Sequence, residues 1–209
     1  MQVLLIAATP NEIELFINRY PNVDILVTGV GAPATIYHLQ KRLHQMDYDF
    51  VIQAGIAGAF TTDIALGETV VVKQDTFGDL GAEEKNIYTP FFNTGLINAH
   101  EFPYANGWLM NPTTLPKNME LRAVKAVTIN KVSDSLLQKD QLANTFDAQI
   151  ETMEGAALHY VCLQEEIPFL QIRSISNYVG ERDKSKWAFK ECFENLNETL
   201  VSLIRQLKD

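Results

Sequence analysis

Two extended runs in the last third of the chain each end in polar residues, and that pattern narrows the fold class more than any other feature. The stretch from Glu151 to Trp187 opens with Glu151-Thr152-Met153-Glu154-Gly155, which places an acidic residue where an extended run gives way to a helix. Its second half is a largely apolar run, Phe169 to Ile175, closed by Ser176-Asn177. Strands buried on both faces read as near-continuous apolar runs. Ligands of open α/β sheets bind at strand ends. Both polar sites are therefore expected at one edge of a buried sheet.

The rest of the chain repeats the alternation. Val3 to Ala8 is a continuous apolar run, and Thr9-Pro10 then starts a helix with Thr9 as N-cap and Pro10 in the first turn. Asp24 to Thr28 reads as a strand closed by Gly29-Val30-Gly31, and the helix that follows carries Ile36, Leu39, Leu43 and Met46 on one face. Phe50 to Ala54 is a third strand, expected to end in the small-residue turn Gly55-Ile56-Ala57-Gly58-Ala59. Further strands are expected at Thr69–Val72 and Val124–Ile129, and a helix at Leu136–Phe146. A last helix puts Phe189, Phe193, Leu196, Leu200, Ile204 and Leu207 on one stripe toward the sheet. Strands alternating with helices mean an α/β fold with a largely parallel or mixed sheet. A chain of 209 residues suffices for a single domain, 1–209, around one sizeable core. Residues 81–118 break the rhythm. Tyr88, Phe91, Phe92, Phe102, Tyr104 and Trp108 would be costly to leave in water, so this segment is expected as a long excursion over the site.

The formal net charge of -9 repels phosphate backbones, which argues against nucleic acid as a partner. No segment approaches the roughly 18 apolar residues of a membrane span. The start MQVLLIAATP lacks the basic region and long apolar run of a signal peptide, so a cytoplasmic protein is expected. Cys162 and Cys192 fall in helical patterns and read as buried thiols. His38, His44, His100 and His159 show no ligand spacing, so no metal and no cofactor are expected.

Several motifs have two readings. Gly29-Val30-Gly31-Ala32-Pro33-Ala34 matches a dinucleotide fingerprint, but Asp49 precedes the next strand instead of ending it, and Pro33 removes an amide that a pyrophosphate would use. Thr9-x-x-Glu12 is a capping box, and by sequence alone that structural role is favoured for Glu12. Glu154 in a first helical turn compensates the helix dipole. It can equally accept both hydroxyls of a vicinal diol, with room given by Gly155-Ala156-Ala157. Met153 alone passes for a core methionine. Arg173, in mid-strand, must be paired if buried. Asn177 alone is an ordinary turn former.

These residues together resemble the purine nucleosidase and nucleoside phosphorylase family. The resemblance covers most of the chain and is strongest at Gly55–Gly58, Phe77–Glu83 and Met153–Asn177. It implies a nucleoside phosphorylase-like fold, a central mixed β-sheet flanked by helices, assembled as a homo-oligomer. It implies a small-molecule nucleoside substrate and cleavage of its purine N-glycosidic bond. By the same resemblance Glu12 deprotonates the attacking water, Arg173 contacts that water and Glu12, and Glu154 with Met153 holds the ribose. Gly55 and Ala57 bring backbone close to the nucleoside, and Ser176 and Asn177 meet the base. Related phosphorylases carry a phosphate-binding loop at the first turn, where this chain has Thr9-Pro10-Asn11-Glu12, so water is the implied nucleophile. Adenine-cutting relatives carry aspartate where this chain has Asn177, which favours a 6-oxo purine. One departure is Val72, where relatives that cut methylthioadenosine carry a serine that helps to hold water.

Overall fold

The computed structural model describes residues 1–20, 22–132 and 134–208. Strand β1 (Val3–Ala7) is buried at every residue, as its unbroken apolar run requires. Alternation then divides it between two helical layers. Leu5 and Ala7 pack with Ile13 and Phe16 of α1 (Pro10–Ile17) and with Leu196, Leu200 and Ile204 of α6 (Phe189–Lys208). Leu4 and Ile6 pack with Leu39 and Leu43 of α2 (Ala32–Leu43) and with Leu158, Val161 and Cys162 of α5 (Gly155–Gln164). Each such side chain contributes about 1.5–3 kcal/mol on full burial, so the two layers fix β1 between them.

The other strands are β2 (Asp24–Val27), β3 (Phe50–Ala59), β4 (Thr69–Phe77), β5 (Gly81–Glu84), β6 (Ile87–Pro90), β7 (Tyr104–Ala105), β8 (Trp108–Met110), β9 (Arg122–Thr128), β10 (Ile150–Thr152) and β11 (Phe169–Tyr178). Between β1 and its neighbours β2 and β3 the pairing is parallel. Beyond them the sheet becomes mixed and its pairings close a ring. Strand β3 pairs with β10, β10 with β9, β9 with β4, β4 with β11, and β11 again with β3. All five strands supply the cluster that fills it, including Ala57, Val70, Val124, Ile150 and Ile175.

Three expectations need correction. Gly55 to Ala59 is not a turn, because β3 continues to Ala59. Hydrogen-bonded pairing with β11 and β10 carries it on, and the small residues serve close approach instead of chain reversal. Met46 lies beyond the end of α2 and is 47% exposed, since the helix stops at Leu43. Strand β4 runs on past Val72 to Phe77, because β9 and β8 pair with its second half. The helix α4 spans Leu136–Phe146, as its sequence predicts. Both cysteines are buried free thiols.

Within the excursion, β5 and β6 form a hairpin, α3 (Phe91–Thr94) follows, and β7–β8 adds to the edge of β4. Within it Phe92 meets Tyr104 edge-on at 5.0 Å, and its rings pack on the body of the domain, Tyr104 tilted against Tyr160 at 6.1 Å and Trp108 edge-on to Phe146 at 6.3 Å. No helix among the described residues is long and apolar enough to cross a membrane.

Candidate active site

A cavity of about 420 Å³ opens where β1, β3, β10 and β11 end and α1 and α5 begin. Sequence places each polar group there for a local reason. Thr9 caps α1, and its N–H and hydroxyl donate to Glu12 Oε2 at 2.8 and 3.1 Å. Asn197 of α6 ties the helix down, accepting from Phe16 N–H and donating to Glu12 O. Glu12 Oε1 then turns into the cavity wall and accepts from Ile56 N–H at 3.3 Å. Burial raises its carboxyl above the ordinary range, against the lowering pull of Arg173 and of the Thr9 hydrogen bond. The capping box and a cavity-facing carboxyl therefore coexist in one side chain.

Glu154 stands at the start of α5 and is 5% exposed. Its Oε1 accepts from Gly31 N–H at 3.0 Å, and its Oε2 lies 3.6 Å from Arg173 Nη1. The glycine turn before α2 thus serves a carboxylate of the chain itself. Arg173 is 1% exposed, and its Nη2 donates to Gln53 Oε1 at 2.6 Å. On the neighbouring strand it pairs in register with Gly55. A Cβ at Gly55 would stand 2.1 Å from Arg173 Nη1 and 2.9 Å from Glu12 Oε1. Gly55 therefore leaves the space in which the guanidinium contacts Glu154 and acts on Glu12 through its charge.

At the other end of the cavity the register of β11 on β3 shifts between Ile175 and Asn177, so that Ile175 pairs with Ala57 and Asn177 with Gly58. Bulges of this kind re-aim a side chain. Ser176 Oγ reaches Ala57 O at 3.2 Å and Asn177 Oδ1 at 2.8 Å, and Asn177 Nδ2 donates one N–H to Tyr178 O. One amide N–H of Asn177 remains. Glu151, on β10, pairs with the same Gly58 from the other side. It is 9% exposed, and burial pushes its carboxyl up to about 7, with the charge of Arg182 pulling the other way.

Of the residues singled out in the sequence, Glu12, Ala57, Met153, Glu154, Ser176 and Asn177 line this cavity. Gly55 and Arg173 stand behind its wall. No residue of 81–118 lines it, and the excursion instead borders smaller cavities near Tyr88 and Trp108. Sequence reasoning passed over Glu151, Arg182, Trp187 and the first two rings of α6, Phe189 and Phe193, which face the cavity. The signal for Glu151 was a charge on a strand flanked by apolar Ile150. Phe189 and Phe193 continue the buried stripe of α6 beyond the sheet edge, where only the cavity remains to face.

Behind Glu154 lies a second polar cluster. A Cβ at Gly155 would stand 2.1 Å from both Asp75 Oδ2 and Gln171 Nε2. Asp75 Oδ1 accepts from Thr128 at 3.0 Å, and the Gln171 side chain lies against both Asp75 and His159, drawing the first down and the second up in titration. Burial pushes the Asp75 carboxyl up to about 7 and lowers His159 to about 4.

The family model described as the phosphorylase superfamily matches residues 6–208. A futalosine hydrolase of Thermus thermophilus is 28% identical over 184 residues, 87% of this chain and 80% of that enzyme. A 5'-methylthioadenosine/S-adenosylhomocysteine nucleosidase of Colwellia psychrerythraea is 25% identical over 90% of this chain and 80% of that enzyme. In fold, a futalosine hydrolase mutant of Helicobacter pylori superposes with a TM-score of 0.82 at 15% identity, over 98% of each chain.

Proposed function

The chain belongs to the phosphorylase superfamily, and we propose that it is a purine nucleosidase that hydrolyses futalosine to hypoxanthine and a dehypoxanthine product, a step toward menaquinone. One observation carries the choice of nucleophile and base: a carboxylate, Glu12, occupies the wall where phosphorolysis needs a phosphate cradle, and a neutral amide, Asn177, faces it across the cavity. A carboxylate repels phosphate and attracts a water proton.

In this reading the bond between C1′ and the purine N9 breaks first, its electrons leave with the base, and the base takes up a proton from solvent to depart as neutral hypoxanthine. The sugar passes through an oxocarbenium-like state, as in glycoside hydrolysis. Glu154 holds the two ribosyl hydroxyls, kept in place by Gly31 N–H and Arg173. Glu12 orients water with Oε1 and takes its proton as the oxygen bonds to C1′, while Arg173, in the space left by Gly55, positions Glu154 and acts on Glu12 through its charge. The remaining amide N–H of Asn177 meets the negative charge that develops on a 6-oxo purine. The rings of Trp187, Phe189 and Phe193 offer an apolar wall for an aromatic 5′-substituent. Purified protein incubated with futalosine, inosine, adenosine and methylthioadenosine, with and without phosphate, tests the reading. Hypoxanthine release from futalosine at the highest kcat/KM, unchanged by phosphate, is expected. Preference for methylthioadenosine, or dependence on phosphate, overturns it.

A further inference from the structure

Glu151 is the one carboxyl of the cavity that the mechanism above leaves without a task. Its carboxyl makes no hydrogen bond among the described residues, although it is 9% exposed and borders the same cavity as Asn177. Residues directly paired across a ladder point to the same face of the sheet. Glu151 and Asn177 both pair with Gly58, one from each side of β3, so both project from one face. Their Cα atoms are two interstrand spacings apart, roughly 9–10 Å. Between them Gly58 has no side chain, and a Cβ there would stand 3.0 Å from Val179 Cγ2 and 3.4 Å from Asn177 Nδ2. Gly58 thus lets Val179 and Asn177 close against β3 beside the carboxyl.

We propose that Glu151 is a second base-reading residue, whose carboxylate accepts the N1–H of a 6-oxo purine while Asn177 donates to the O6 and N7 edge. This rests on the nucleosidase reading above and adds to it the group that reads the far edge of the base. A 6-oxo purine carries a hydrogen on N1, and a 6-amino purine carries a lone pair there. An ionised Glu151 therefore welcomes the first and opposes the second. The other charged groups bordering the cavity are Arg182 and Lys184 from the segment after β11, with Glu12 and Glu154 at the far end. Burial disfavours the ionised form that the proposal uses, Arg182 favours it, and an N1–H donor at the carboxylate favours it further. A buried carboxyl without a donor is the state expected of a site whose donor arrives with the ligand.

Calorimetric binding of hypoxanthine, 1-methylhypoxanthine and adenine to the whole protein and to Glu151→Ala and Glu151→Gln tests this without any turnover. The wild type is expected to prefer hypoxanthine over both competitors by ten- to hundredfold, the size of one mismatched buried polar pair. Glu151→Ala should lose most of that preference. Glu151→Gln, whose amide can donate to a bare N1, should bring the adenine-to-hypoxanthine ratio at least tenfold toward adenine. Unchanged ratios in either folded variant, or no binding of hypoxanthine by the wild type, overturn the proposal. Failure of the hydrolysis assay with these binding ratios as expected would instead remove the proposed reaction and leave Glu151 as a base reader.

Discussion

The two ends of the cavity treat their carboxyls in opposite ways. At the Glu12–Glu154 end every carboxylate oxygen has a partner: Thr9, the Ile56 N–H, the Gly31 N–H and Arg173. At the Gly58 end Glu151 has none, and Asn177 keeps one amide N–H in hand. The first end is organised before any ligand arrives, which is what a group that must steer water and sugar needs. The second end is incomplete by itself, which suits recognition, because an unpaired polar group rejects whatever fails to pair with it. Chemistry and selectivity are thus divided between two ends of one cavity.

Removing the base from the organised end should have the largest effect. Glu12→Gln is expected to lower kcat by about 10²–10⁴-fold, the usual cost of a lost general base. Glutamine can keep its oxygen toward Thr9 but turns its NH2 to the Ile56 N–H, so a stability loss of about 1–3 kcal/mol should accompany the loss of turnover. Loss of stability with retained turnover would leave Glu12 as a cap alone. Glu154→Ala should also abolish measurable turnover, and it leaves Arg173 buried without its nearest carboxylate. Denaturant unfolding should therefore register a loss of about 3–5 kcal/mol.

Gly55→Ala sharpens the comparison without touching a polar group. Its Cβ would meet Arg173 Nη1 at 2.1 Å, so the guanidinium must move. We expect at least a tenfold fall in kcat with about 1–3 kcal/mol of destabilisation, the usual cost of overpacking. At the other end, Asn177→Asp should shift the ratio of kcat/KM for 6-oxo over 6-amino substrates by about ten- to hundredfold toward the amino compound. An unchanged ratio would remove Asn177 from base recognition.

The smallest effect is in stability against pH. Burial raises Asp75 and Glu151 to about 7, so the folded protein holds protons that the unfolded chain has released. Stability should therefore fall as pH rises from about 4 toward 7, by at most about 1.4 kcal/mol per pH unit for each group, offset in part by His159, which burial lowers to about 4 and which contributes a slope of the opposite sign. Asp75→Asn should flatten that slope in denaturant titrations, and a slope of opposite sign would contradict the burial account.

Much of this was legible in the sequence, and the gaps have physical causes. Continuous apolar runs gave β1 and β11, and Thr9-x-x-Glu12 gave the start of α1, because these signals are local. Gly55 to Ala59 misled, because small residues mark turns as well as close approach. Only the pairing of β3 with β10 and β11 decides between the two readings. Arg173 was expected at the water and Glu12; its ion pair is with Glu154, through the passage that Gly55 leaves open. That passage depends on a cross-strand neighbour more than one hundred positions away in sequence, and no local pattern encodes it. Glu151 was overlooked for the same reason, since its meaning comes from sharing Gly58 with Asn177. The aromatic excursion was expected over the site because ring content reveals burial but not the burying surface, which is the β4 edge with α4 and α5.

The central claim is that an organised carboxylate end delivers water to C1′ of a 6-oxo purine nucleoside. Hydrolysis of futalosine in ¹⁸O-labelled water containing phosphate, followed by mass spectrometry of the sugar product, tests it most directly. The account predicts hypoxanthine release with one labelled oxygen at C1′ and no sugar phosphate, and near-complete loss of that product in Glu12→Gln. A sugar 1-phosphate, or label incorporation undiminished in Glu12→Gln, would contradict it.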